Sequence, residues 1–113
     1  MKALSVRIRL DLVPSAGIQA IVGKLAKLSP QTTVEEFTNE PGVDTNYISI
    51  DFMTSDAPAL WRAIESTLGL SSHRPSSVSK GMIVVCEGDH GWDDYLLLYH
   101  FDKQEALDKF PIS

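Results

Sequence analysis

The sequence predicts an α+β fold of the ferredoxin-like kind, and three observations predict it. Two stretches alternate strictly between apolar and polar residues, two amphipathic helical stretches each stand between strands, and nothing in the chain repeats or suggests a second set of elements. At 113 residues the chain fits one domain, 1–113, large enough to bury a core without disulfides.

Leu4, Val6, Ile8, Leu10 and Leu12 alternate with Ser5, Arg7, Arg9 and Asp11, the period of a half-buried strand. Pro14 and Ser15 then open a helix, with Ser15 as the expected N-cap, and Ile18, Ile21, Val22, Leu25 and Leu28 form its apolar stripe. Gly17 and Gly23 each weaken that helix by roughly 1 kcal/mol relative to alanine, so packing must hold it until Ser29-Pro30 stops it. Thr32–Phe37, β-branched and aromatic, reads as a second strand, and residues 38–46, with Pro41-Gly42, as a turn-rich loop. Tyr47–Met53 alternates cleanly as a third strand. Ser55-Asp56-Ala57-Pro58 starts a second helix with a capping group and a proline in its first turn. Leu60, Trp61, Ile64 and Leu68 line it, and Gly69 ends it.

The serine-rich stretch 71–80 reads as an uncapped connection, either mobile or a contact loop at the surface. Met82–Glu87 and Tyr95–Phe101 read as two strands of a hairpin whose tip is Gly88–Asp94. Asp102 and Glu105 have the spacing of a capping box, predicting a short helix that carries Leu107 and Phe110 and stops at Pro111. The expected architecture is βαββαβ plus an extra C-terminal edge strand and a short helix. It is an antiparallel sheet with both long helices on one face and the first strand between the third and fourth. Arg7 and Arg9 then lie on the uncovered face beside Ser49, Asp51 and Tyr47, with Tyr95 and Tyr99 near them. The bland expectation for that face is a cross-strand Arg–Asp pair.

Composition narrows the function classes. The chain is 43% hydrophobic and 22% charged, with a net charge of −5, and such a surface repels phosphate backbones and favours cationic partners; nucleic acid is not an expected ligand. The first ten residues alternate charges where a signal peptide needs an apolar run, and no stretch has the length of a membrane span, so a cytoplasmic protein without membrane attachment is expected. A single cysteine, Cys86, forms no internal disulfide and sits in an apolar strand as an inert thiol.

The stretch Asp89-His90-Gly91-Trp92-Asp93-Asp94 is the natural candidate for chemistry. It lacks the spaced oxygens of a calcium loop and the repeated His or Cys of a zinc site, so no metal is expected. A His90–carboxylate dyad at a hairpin tip has no nucleophile and no shelter from water. His100 reads as a sheet histidine, and His73-Arg74 with Lys80 lacks the glycine-rich turn of a phosphate site. No triad or dinucleotide fingerprint occurs, and no cofactor is expected.

The resulting expectation is a non-enzymatic, acidic protein-binding module. Two groups form its recognition surface: Asp89, His90, Trp92, Asp93 and Asp94 in the hairpin, and Glu35, Glu36, Glu40 and Asp44 around the first loop. Such a surface suits a basic protein partner. The functional analogy is an immunity-type inhibitor masking the basic active site of a nuclease-like toxin. The alternative is a small-ligand-binding or regulatory homodimer of ferredoxin-like domains, packed through the open sheet face so that Tyr47, Tyr99 and Phe101 are buried.

Overall fold

The structure is a computed structural model. It describes all residues except 1, 14, 38–45, 71–76, 89–90, 103, 109 and 111–113, and of residues 15–17, 37 and 77 the backbone only. The elements in chain order are β1 (Lys2–Arg9), α1 (Ser15–Ala26), β2 (Thr32–Phe37), β3 (Tyr47–Thr54), α2 (Ala57–Leu68), a 3-10 turn (Ser77–Gly81), β4 (Met82–Gly88) and β5 (Gly91–His100). The five strands form one sheet in the order β2-β3-β1-β4-β5, and every neighbouring pair is antiparallel. This is the ferredoxin-like arrangement with β5 as the added edge strand.

Alternation in the central strands sorts the residues between two faces. Leu4, Val6 and Ile8 of β1, Ile48, Ile50 and Phe52 of β3, and Met82, Val84 and Cys86 of β4 are all buried on one face. Ile18 and Leu25 of α1 and Leu60, Ile64 and Leu68 of α2 pack onto them in one continuous core. α2 is built as its sequence predicts. The Asp56 carboxylate accepts the Ala59 N–H at 3.1 Å, and Gly69 closes the helix in the left-handed region at φ 62°.

Four expectations are corrected. β1 ends at Arg9 rather than running on to Leu12, because the chain turns there, the Leu12 N–H reaching the Arg9 carbonyl at 3.3 Å, and Leu12 is left exposed. The end of the serine-rich connection is no surface loop: Val78 and Ser79 of the 3-10 turn are buried. The β4–β5 hairpin is much tighter than a seven-residue tip, since Gly88 already pairs with Gly91 and only residues 89–90 lie between the strands.

The fourth correction concerns the end of the chain. Among the described residues of 102–110 there is no helix. Asp102 makes a single turn, its carboxylate accepting the Gln104 N–H at 2.9 Å and its carbonyl the Glu105 N–H at 3.1 Å. The chain then lies along the free edge of β5. The Asp108 N–H donates to the Leu97 carbonyl at 2.7 Å, and the Leu97 N–H donates to the Asp108 carboxylate at 2.8 Å. A helix this short is costly to nucleate, whereas an open strand edge offers unpaired backbone groups at once.

Candidate functional site

The face of the sheet opposite the helices carries Ser5, Arg7 and Arg9 of β1. In register they meet Asp51, Ser49 and Tyr47 of β3, and Ser5 and Arg7 meet Val85 and Ile83 of β4. Among the described residues no Arg–Asp pair crosses the strands. Asp51 instead accepts from the two serines, Ser5 Oγ at 2.7 Å and Ser49 Oγ at 3.0 Å, both on Oδ1. Both serines are buried, and with their protons directed at Asp51 the 3.1 Å between the hydroxyl oxygens is a packing distance.

The two arginines differ in how far they are satisfied. Arg9 forks onto Asp11, Nε to Oδ1 at 3.1 Å and Nη2 to Oδ2 at 2.7 Å, and its guanidinium lies 5.5 Å from the Phe101 ring centre. That guanidinium holds the Asp11 carboxyl below the usual carboxylate value. Arg7 is exposed and sits 5.8 Å from the Tyr47 ring centre, and among the described residues its guanidinium makes no hydrogen bond or ion pair.

Beside Arg7 the open face dips into a concavity of about 620 Å³ between β1, β4 and β5. Its apolar lining is Ile83, Val85 and Leu97. Among the described residues its remaining lining is Trp92, Tyr95, His100 and Glu105 together with Arg7. The Nδ1 of His100 accepts the Asp102 N–H at 2.9 Å, so the neutral ring carries its proton on Nε2 and presents a donor there.

The shape of this region comes from β5, which fits β4 only with irregularities. Leu98 is an extra residue between the Val84–Tyr99 and Val85–Leu97 pairs, and residues 92–95 stand opposite Glu87 alone between Cys86–Leu96 and Gly88–Gly91. The bulged chain lies so close to β4 that a side-chain carbon on Gly88 would overlap the Asp94 backbone carbonyl and come within 2.8 Å of its carboxyl carbon. Gly91 has φ 77°, a conformation favouring glycine. Trp92, Asp93 and Asp94 therefore stand on a bulged strand, not on a flexible tip. All three are exposed, Trp92 at 48%, with Tyr95 beside them at 53%.

The predicted acids do not converge. Glu35 pairs with Ser49 and Glu36 with Ile48, so the two exposed glutamates face opposite sides of the sheet. They lie at the edge formed by β2, level with the end of β1, whereas Asp93 and Asp94 lie at the β5 edge, level with its start. The two corners are diagonal, about 15 Å apart along the strands and about 19 Å apart across the sheet from β2 to β5. Glu40, Asp44, Asp89 and His90 lie outside the described residues, as do His73 and Arg74. Tyr99, expected on the open face, pairs with Val84 and packs against the core on the helix side.

Cys86 is fully buried, and burial pushes its thiol above the ordinary value. Among the described residues no three or more His, Cys, Asp or Glu side chains gather where they would hold a metal, and no helix is long and apolar enough to cross a membrane. The Ser5–Ser49–Asp51 cluster and the contributions of Ile83, Val85, Leu97 and Glu105 were not foreseen. Alternation assigns a residue to a face, but only register shows which strands bring neighbours together. No protein-family model, no curated protein and no solved structure matches this chain.

Proposed function

We propose that this protein is a non-catalytic binding module that docks a cationic protein partner at the β4–β5 corner. Trp92 and Tyr95 serve as anchors, and Asp93 and Asp94 orient the approach. The observation that carries the reading is the bulge of β5, which sets two large exposed aromatics and two exposed acids together on a strand. Aromatic anchors that become buried on docking supply most of an interface's affinity, while flanking charges govern the rate of encounter and exclude wrong partners. The net charge of −5 has the sign this requires. A masking inhibitor of a basic, nuclease-like protein is one member of this class. Glu35 and Glu36 are not part of the docking surface, since they share neither a face with each other nor a corner with Asp93.

Affinity capture from the organism that makes the protein tests the reading with three double variants. The partner enriched by wild type is lost with Trp92→Ala/Tyr95→Ala. It associates more slowly and with a flatter salt dependence with Asp93→Asn/Asp94→Asn, and it is retained by Glu35→Gln/Glu36→Gln. Full retention by the aromatic double variant contradicts the proposal.

A further inference from the structure

We propose that the open-face concavity is a binding site for a small monocarboxylate with an aromatic or apolar body, its carboxylate held by Arg7. The site's volume, about 620 Å³, lies within the range that holds a small organic molecule. Its composition is that of such a site, with an apolar floor of Ile83, Val85 and Leu97 and polar groups on the wall.

Each polar group constrains the ligand. Arg7 is the one permanent cation among the described residues that line the concavity. In contrast to Arg9, whose fork is taken by Asp11, its donors are not engaged by any described residue, and a guanidinium fork matches a carboxylate through two parallel hydrogen bonds. Glu105 lines the same space and opposes a second negative charge. Arg7's attraction and Glu105's repulsion both double for a phosphate dianion, whereas its desolvation cost rises with the square of its charge, so a monocarboxylate suits this site better. His100, with Nδ1 occupied by the Asp102 N–H, offers a donor, and Trp92 and Tyr95 flank the apolar body of the ligand.

The site requires no protein partner, and Arg7 is not part of the docking corner, so failure of this inference leaves the protein-docking reading standing. Trp92 is also a built-in reporter. The chain has two tryptophans, and Trp61 belongs to α2 in the helical layer, so Trp61→Phe leaves Trp92 as the sole indole in the site.

Hydrocinnamate is the probe, titrated into Trp61→Phe by emission and into wild type by thermal shift, so that the test does not depend on one variant folding. The expected result is a saturable change in both readouts. Hydrocinnamamide and phenyl phosphate bind about tenfold more weakly or worse, and Arg7→Gln loses about tenfold or more in affinity while Arg7→Lys loses less. The proposal is overturned if hydrocinnamate gives no saturable change in either protein, or if Arg7→Gln binds it as wild type does. Tighter binding of phenyl phosphate than of hydrocinnamate overturns the carboxylate assignment.

Discussion

The two faces of the central strands use the same backbone for opposite purposes. On the helix side β1, β3 and β4 present nine apolar residues, every one of them buried beneath the two helices. On the open side the intervening positions hold a Ser–Ser–Asp cluster with both hydroxyls buried, two arginines in unlike states and an apolar floor left uncovered by any described helix or strand. The difference teaches where stability and recognition reside in a small antiparallel sheet. One face is closed by packing, and the other is available because the chain supplies a second helix to the first face rather than one to each.

The contrast predicts a graded series of effects. Phe52→Ala, on the covered face where Phe52 is fully buried, costs about 3–5 kcal/mol in a urea unfolding titration. A cost below about 1 kcal/mol would mean that this face is not the core. Asp51→Ala removes the acceptor of two buried hydroxyls and costs about 1–3 kcal/mol. In a companion measurement, Asp51→Ala on a Ser5→Ala/Ser49→Ala background costs clearly less, because no hydroxyl is then left without a partner.

The thiol of Cys86 reports the same asymmetry chemically. Burial raises its folded value, so the unfolded chain ionises first and stability falls as pH rises through the ordinary thiol value of 9.0. In native protein near neutral pH a thiol-labelling reagent leaves Cys86 unmodified, and after unfolding it labels the residue completely. Rapid labelling of the native chain would contradict the burial.

The smallest effect belongs to Asp11, which is exposed. Its folded value is depressed below 3.8 chiefly by the hydrogen bonds from Arg9, so the stabilisation it provides is complete above that ordinary value and is lost as pH falls through the depressed one. A carboxyl titration by NMR should place the Asp11 midpoint below 3.8 in wild type and return it toward that value in Arg9→Gln.

How much of this was legible follows from which physical signals are local. The alternation of Leu4–Ile8 and of Ile48–Phe52 states a face directly, and the Asp56 cap, Pro58 and Gly69 mark both ends of α2 with local chemistry. β5 is another matter. Leu96, Leu97 and Leu98 carry no alternation, so nothing in their order shows that Leu97 faces the concavity while Leu98 is an extra, buried residue. The bulge at 92–95 was hidden for a related reason: glycines at 88 and 91 signal a turn equally well whether it is two residues long or seven. The capping spacing of Asp102 and Glu105 misled because the competing partner, the free edge at Leu97, is bonded by Asp108, and a separation of 11 residues leaves no local signal. Charge clustering carries no information on faces: Glu35 and Glu36 are adjacent in sequence and therefore on opposite faces of a strand.

The measurement that bears most directly on the account places a photoreactive side chain at position 93, between the two anchors on the bulged strand, and separately at position 62, on the exposed surface of α2, followed by crosslinking in living cells. The account predicts a discrete protein adduct from position 93 that weakens with added salt, and none from position 62. A discrete adduct from the helical layer with none from the β4–β5 corner would contradict it.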